Sequence, residues 1–130
     1  VHACIDVTDG LARDLRHLCA ESGCGAELEA ARLPLSAAAK NTTAGNRPPP
    51  CRRGAIPAPV WRALGDGEDF ELLLAVSTRG AARLNQRRSP TPTPLTGIGR
   101  LRNKKDGLTL LTAAGARLSL PDAGYEHLRK

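Results

Sequence analysis

The sequence predicts an α+β domain, and three observations support this class. Stretches with helical periodicity and apolar strand-like stretches are mixed along the chain without the regular alternation of an α/β protein. The 130 residues suffice for one compact domain, residues 1–130, and are too few for two. The chain is 41% hydrophobic and 25% charged, as globular proteins are, although only three residues are aromatic. Leu, Ala and Val are therefore expected to form the core.

The first predicted unit is a strand, an acidic turn and a helix. A short apolar run at residues 3–5 predicts the strand, and Asp6 to Asp9 supply the turn. The helix is predicted because apolar residues follow Gly10 at positions i, i+4, i+7 and i+8, namely Leu11, Leu15, Leu18 and Cys19. Thr8 or Asp9 is the expected N-cap, and Ser22-Gly23 the expected end.

The remaining elements follow from apolar runs and from breaks at Pro and Gly. Strands are predicted at residues 25–30, 70–76, 95–101 and 108–112 and between Gly115 and Pro121, and helices at 59–64 and 78–88. The run at 70–76 is apolar on both faces, which predicts a central strand. Residues 37–56 are predicted to be a flexible loop, because three consecutive prolines fit neither a helix nor a central strand.

Charge and apolar content limit the classes of partner. The formal charge of +6 favours an anionic partner such as a nucleotide, a phosphorylated metabolite or a nucleic acid. Single-strand nucleic-acid binders add aromatic stacking platforms, and three dispersed aromatic residues argue against that class. The longest apolar run, residues 72–76, is far shorter than the roughly 20 residues of a membrane-spanning helix, so no membrane association is expected.

The cysteines indicate a reducing compartment. Cys4, Cys19, Cys24 and Cys51 lack the paired spacing of a zinc site, and no secretory leader precedes them. We expect packed, reduced thiols in a cytoplasmic protein.

Two acidic segments are candidates for chemistry. Asp6, Thr8 and Asp9 lie where a strand leads into a helix, and such a junction attracts phosphate oxygens while carboxylates hold Mg²⁺. The alternative is that these residues only cap the helix. Glu68 and Asp69 follow a Gly-x-Gly turn and precede a strand, where carboxylates often line a cleft; the alternative is an ordinary polar turn. The residues alone predict a Mg²⁺ and phosphate site.

Six segments together resemble the C-terminal half of thiamine-monophosphate kinase, a member of the PurM-like superfamily typified by aminoimidazole ribonucleotide synthetase. The segments occur in the order of that family and spread over nearly the whole chain, at residues 3–15, 22–26, 33–36, 67–74, 98–100 and 124–127. The first and the fourth are the most specific. The resemblance implies a PurM C-terminal-domain-like fold, with a mixed β-sheet covered by helices.

The resemblance also implies an activity and a set of site residues. The family transfers the γ-phosphoryl group of ATP to thiamine monophosphate, yielding thiamine diphosphate, and depends on Mg²⁺. By the matching motif positions, Asp6 and Asp9 bind Mg²⁺, Thr8 contacts the nucleotide, and Glu68 and Tyr125 bind the thiamine substrate. No residue of this chain is expected to be a covalent catalyst, and the full-length enzyme is expected to be a homodimer.

The resemblance leaves three functions open. In the family, an N-terminal half supplies most of the ATP site, and we expect it to be absent here, which would leave the isolated chain inactive. A second hypothesis is a non-catalytic PurM-like fragment that binds a nucleotide or a partner chain. A third is a small basic nucleic-acid-binding domain, which the shortage of aromatic residues disfavours.

Overall fold

The computed structural model describes residues 1–41, 56–86 and 93–125. The strands are β1 (Ala3–Val7), β2 (Cys24–Glu29), β3 (Glu71–Ala75), β4 (Gly99–Asn103), β5 (Leu108–Leu111) and β6 (Arg117–Ser119). The α-helices are α1 (Leu11–Ser22), α2 (Ala37–Asn41), α3 (Ala58–Gly65) and α4 (Thr78–Gln86). Short 3₁₀ turns at Ala30–Arg32 and Lys104–Asp106 follow β2 and β4. The mixture of helices and strands confirms the α+β prediction.

Four strands form a mixed sheet in the order β4-β2-β5-β6. The central strand β2 is antiparallel to β4 and parallel to β5, and β6 is antiparallel to β5. Alternate residues of β2 point to opposite faces, so Ala26 and Leu28 enter the core while Glu27 and Glu29 lie on the other face. This sheet is the mixed β-sheet that the family resemblance implies.

The other two strands form a separate antiparallel pair, in which Val7 lies opposite Glu71 and Ala3 opposite Ala75. The prediction that residues 70–76 form a central strand is therefore wrong for the described part of the chain, where β3 pairs with β1 alone. Leu72 is 67% exposed and lies opposite Asp6 on the outer face of the pair. An apolar run is compatible with a strand that is buried on both faces, but it does not show that other elements of the chain pack against both faces.

The core lies between α1, α3 and the mixed sheet. The apolar stripe of α1 is buried as predicted, and Leu64 of α3 and Leu110 of β5 are fully buried beside it. Cys19 is also buried, where desolvation and the neighbouring Cys24 thiol raise its pKa to about 12, which disfavours the nucleophilic thiolate form. Cys4, Cys19 and Cys24 are free thiols, although Cys4 is exposed rather than packed. Cys51 lies outside the described residues.

The ends of α1 confirm one prediction and correct another. Gly23 ends the helix in the left-handed conformation, as expected. The N-cap is Gly10 and not Thr8 or Asp9, and no side chain caps the helix there. The first helical N–H groups, those of Arg13 and Asp14, donate to the Gly10 carbonyl at 3.0 Å, so the helix begins one residue after the expected caps.

Other boundaries shift by a few residues. Residues 37–41 form the short helix α2 and not a loop, since Ser36 Oγ accepts the Ala39 N–H at 3.0 Å and starts a helical turn. The rest of the predicted loop up to residue 55 lies outside the described residues. Strand β4 begins at Gly99, four residues later than predicted. In the described ranges, no helix has the length and apolar character needed to cross a membrane.

Candidate functional site

The loop of residues 8–10, between β1 and α1, is the point where three distant segments meet. The side chain of Asp14, in the first turns of α1, reaches back to the loop: its Oδ2 accepts the N–H of Thr8 at 2.9 Å and of Asp9 at 3.1 Å. Asp14 is only 4% exposed. The helix that follows the loop therefore fixes the loop's backbone.

The acidic turn, residues 66–71, is the second segment at the loop. The Glu68 N–H donates to the Thr8 carbonyl at 2.8 Å, and the Phe70 N–H donates to the Val7 carbonyl at 3.2 Å. A Cβ at Gly67 would lie 2.4 Å from the Thr8 carbonyl oxygen, so only glycine permits this approach. Glu68 and Phe70 both have positive φ, 65° and 52°, which is unfavourable for residues with side chains. The turn is held in a strained conformation against the loop.

The segment before Tyr125 is the third. The Tyr125 N–H donates to the Asp9 carbonyl at 2.9 Å. A Cβ at Gly124 would lie 2.8 Å from the same oxygen and 2.8 Å from the Cβ of Arg13. The Tyr125 side chain is 61% exposed. Residues more than a hundred positions apart are thus joined backbone to backbone.

Four of the five predicted site residues belong to this junction: Thr8, Asp9, Glu68 and Tyr125 are linked by the backbone hydrogen bonds above. Asp6 precedes them on β1, and its side chain leaves the exposed outer face of the β1–β3 pair. The Asp9 carboxylate lies 3.6 Å from Nε of Arg13, an ion pair at the start of α1.

The described residues do not form a complete metal cage. Within residues 1–41, 56–86 and 93–125, no three His, Cys, Asp or Glu side chains are grouped closely enough to hold a metal ion. The carboxylates of Asp6 and Asp9 and the hydroxyl of Thr8 are nevertheless the hard oxygen donors that Mg²⁺ prefers, and Mg²⁺ usually keeps waters and substrate phosphates as its other ligands. The donor chemistry fits Mg²⁺, while the donor number requires ligands from elsewhere.

Carboxylates in the acidic turn repel one another. Burial, followed by repulsion from the carboxylates of Glu71 and Asp66, raises the pKa of Asp69. Several carboxylates crowd one turn next to the loop, and a nearby cation would relieve their repulsion. This arrangement favours a cation at the junction, either a metal ion or a positively charged group of a ligand.

Sequence reasoning missed one residue of this site, Asp14. Its signal was visible: Asp14 falls at i+3 from Leu11, inside the apolar stripe of the predicted helix, where a charged residue is out of place. A carboxylate in such a stripe needs a buried partner, which here is the backbone of the preceding loop.

Comparison with curated proteins gives consistent relatives. No family model matches the chain. Thiamine-monophosphate kinase from Halobacterium salinarum is 35% identical over 125 residues, which are 96% of this chain and 36% of that protein. The enzyme of the same name from Escherichia coli O157:H7 is 32% identical over 127 residues, 97% of this chain and 35% of its own. The chain therefore spans about a third of the length of these relatives.

Solved structures show the same relationship in three dimensions. A structure of AaThiL complexed with AMPPCP and TMP superposes with a TM-score of 0.64 and 26% identity, covering 97% of this chain and 33% of that one. Thiamine-monophosphate kinase from Stenotrophomonas maltophilia K279a gives 0.65 and 29% identity over 88% of this chain and 32% of its own. The fold is that of these PurM-like proteins.

Proposed function

Because this chain is homologous to the C-terminal part of thiamine-monophosphate kinases, we propose that it is the C-terminal domain of an ATP- and Mg²⁺-dependent kinase that converts thiamine monophosphate to thiamine diphosphate. The observation that carries the proposal is the junction at loop 8–10. The family motifs around Asp9, Glu68 and Tyr125, distant in sequence, are there joined by backbone hydrogen bonds.

Each site residue has a role that its chemistry supports. Asp6 and Asp9 supply carboxylate ligands for Mg²⁺, and the Thr8 hydroxyl contacts the nucleotide. Glu68 binds the thiamine substrate, and its anionic side chain suits a cationic ligand. The exposed ring of Tyr125 offers a π face to the thiazolium, a cation–π contact.

The chain's contribution to phosphoryl transfer is positioning and charge neutralisation, since such transfers need little covalent help from the protein. Mg²⁺ would supply the neutralisation of charge between the β- and γ-phosphate oxygens. The backbone hydrogen bonds at loop 8–10 hold Thr8 and Asp9 in place before substrates arrive, which lowers the entropic cost of alignment. No side chain of the site is a nucleophile in this scheme.

The chain's partners follow from the incomplete donor set. The relatives are about three times as long, so we propose that an N-terminal half provides the remaining metal ligands and most of the ATP site. We propose further that the full-length enzyme is a homodimer in the cytoplasm, and that the isolated chain binds substrates weakly without turnover.

A second candidate function is a non-catalytic PurM-like domain that binds a nucleotide or a partner chain. The shortage of grouped metal ligands within the described residues favours it. The two functions differ in whether Mg²⁺-dependent binding needs Asp6 and Asp9.

Calorimetric titration with the ATP analogue AMPPCP, with and without Mg²⁺ and thiamine monophosphate, tests the proposal. We expect weak binding that requires Mg²⁺ and that falls about tenfold or more in Asp6→Ala and Asp9→Ala, because each variant loses a charged ligand. The matched control is Asp106→Ala, which removes an exposed carboxylate of the 3₁₀ turn after β4.

Two results would contradict the assignment. If Asp9→Ala leaves the affinity for AMPPCP unchanged, Asp9 is not a metal ligand. If AMPPCP binds equally well with and without Mg²⁺, the result favours the non-catalytic domain. Binding of single-stranded DNA that ignores both aspartates and weakens steeply with salt would instead indicate a nucleic-acid-binding protein.

A further inference from the structure

Asp14 is one of two buried carboxylates in the described part of the chain, and the two have different partners. Glu27 is 5% exposed and pairs with the guanidinium groups of Arg102 and Arg117 at 2.6 and 2.7 Å. Asp14 is 4% exposed, and its Oδ2 accepts two backbone N–H groups of the candidate site. A buried carboxylate is costly unless its hydrogen bonds repay the desolvation, so the contacts of Asp14 are important for this loop.

These contacts complete the fixation of residues 8 and 9. Their two N–H groups donate to Asp14, the Thr8 carbonyl accepts from Glu68, and the Asp9 carbonyl accepts from Tyr125. All four backbone polar groups of the two residues are therefore hydrogen-bonded. Among these bonds, only those to Asp14 are made by a side chain.

We propose that Asp14 is a positioning residue of the active site. It acts through the backbone of Thr8 and Asp9 and touches neither substrate nor metal; this inference rests on the proposed function, which assigns ligand-binding roles to those two residues. Its carboxylate lies in the first turns of α1, where the helix dipole favours negative charge. Asp14 fixes the directions in which the Thr8 hydroxyl and the Asp9 carboxylate leave the main chain.

The alternative is that Asp14 stabilises only the start of α1. In that case, variants of Asp14 would lose stability, but they would show no specific change in the loop at residues 8 and 9 or in ligand affinity. The two roles differ in the hydrogen exchange of the Thr8 and Asp9 amides and in Mg²⁺-dependent affinity compared at equal loss of stability.

The experiment compares three variants of the 130-residue chain. Asp14→Ala removes the acceptor, whereas Asp14→Asn keeps a side-chain oxygen that can accept both N–H groups without the charge. Glu27→Gln is the matched control, because it perturbs a buried carboxylate in the mixed sheet, away from the loop. Urea unfolding, amide exchange followed by NMR, and calorimetric titration with Mg²⁺ and AMPPCP are measured for each.

In Asp14→Ala, we expect exchange of the Thr8 and Asp9 amides to accelerate and Mg²⁺–AMPPCP affinity to fall, each about tenfold or more, because the loop is no longer held in place. Asp14→Asn should rescue most of both losses, and it keeps the test open if the alanine variant does not fold. Glu27→Gln should unfold at lower urea and keep wild-type affinity.

The inference is overturned if amide exchange at residues 8 and 9 is unchanged in Asp14→Ala. It is also overturned if the wild-type chain binds and the affinity falls no more in Asp14→Ala than in Glu27→Gln. A wild-type chain that binds no Mg²⁺–AMPPCP contradicts the proposed function and, with it, the ligand-positioning role, whereas amide exchange still reports whether Asp14 holds the loop. The two failures are thereby distinguishable.

Discussion

The mixed sheet and the β1–β3 pair differ in how far their apolar side chains are buried and their charged side chains are paired. In the mixed sheet, one face is packed on α1 and the other carries matched charges: Glu27 lies between Arg102 and Arg117, and Glu29 lies 3.7 Å from Arg100. On the β1–β3 pair, Leu72 and the adjacent Phe70 are 67% and 79% exposed. The neighbouring acidic turn crowds its carboxylates together.

We infer from this difference that the stabilising region and the proposed site occupy different parts of one small domain. The mixed sheet buries apolar area, which is the main term that stabilises a fold, and it pairs its buried carboxylate with arginines. The β1–β3 pair and its loops leave charge and apolar surface available and contain backbone strain at Glu68 and Phe70, as binding sites do. Three predictions test the division.

The largest expected contrast is between two leucines. Leu110 is fully buried in β5, so Leu110→Ala should lower the free energy of unfolding by about 2–5 kcal/mol through lost burial and a cavity. Leu72→Ala on the exposed face of β3 should change it by no more than about 0.5 kcal/mol. Urea denaturation measures both, and a comparable loss in Leu72→Ala would show that the outer face of the β1–β3 pair also contributes to stability.

Two glycines sharpen the comparison, because each makes an equally close approach to a carbonyl oxygen. A Cβ added at Gly25 would lie 2.4 Å from the carbonyl oxygen of Gly107. A Cβ added at Gly67 would lie 2.4 Å from the carbonyl oxygen of Thr8. Overpacking of this kind costs about 1–3 kcal/mol. We expect Gly25→Ala to lower global stability by this amount, and Gly67→Ala to abolish Mg²⁺–AMPPCP binding at a smaller cost in stability.

The same two variants can also reject the division. If Gly67→Ala unfolds the chain as readily as Gly25→Ala, the acidic turn is part of the structural core. Calorimetric titration and urea denaturation of both proteins provide the two measurements.

The smallest expected effects are on pH dependence, and they have opposite signs. Hydrogen bonding and charge from Arg102, with further charge from Arg117 and Arg100, lower the pKa of Glu27 below its ordinary value of 4.5. Folded protein then binds fewer protons than unfolded chain, so this stabilisation is present above pH 4.5 and is lost as pH falls through the lowered pKa. Glu27→Gln should lower stability at neutral pH and flatten the acid side of the curve.

Asp69 should act in the other direction. Because its pKa is raised above the ordinary 3.8, the folded protein retains a proton that the unfolded chain releases, and stability falls as pH rises through that range. Asp69→Asn should raise stability at pH 7 by less than about 0.5 kcal/mol, since the group is largely exposed. Thermal unfolding from pH 3 to pH 8 measures both variants, and equal signs for the two would contradict this account.

The sequence predicted the elements well where periodicity and glycine determine them. The stripe of α1, its end at Gly23 and the strand now seen as β2 were all placed within a residue or two. It placed β3 within a residue but wrongly made it a central strand, because an apolar run does not say whether a second layer covers it. It also failed at the start of α1, where the N-cap is Gly10 and not Thr8 or Asp9.

The candidate site was predictable as a set of residues but not as a geometry. The motifs named Asp9, Glu68 and Tyr125, yet nothing in their spacing shows that Glu68 and Tyr125 bond to the two neighbouring carbonyls of loop 8–10. Long-range backbone contacts depend on the whole fold. The role of Asp14 could be inferred only from sequence and structure together. The sequence shows a charge in the apolar stripe of α1, and the structure shows that its partners are the Thr8 and Asp9 N–H groups.

The attachment of Tyr125 to Asp9 gives this protein a natural pair of optical reporters. The chain has one tyrosine and one tryptophan, and they stand in different regions: Tyr125 at the junction and Trp61 in α3, whose Leu64 is fully buried in the core. We expect tyrosine emission to report on the junction at loop 8–10 and tryptophan emission to report on global unfolding. Changes at the junction and global unfolding can therefore be followed in the same sample by intrinsic fluorescence, without an added label.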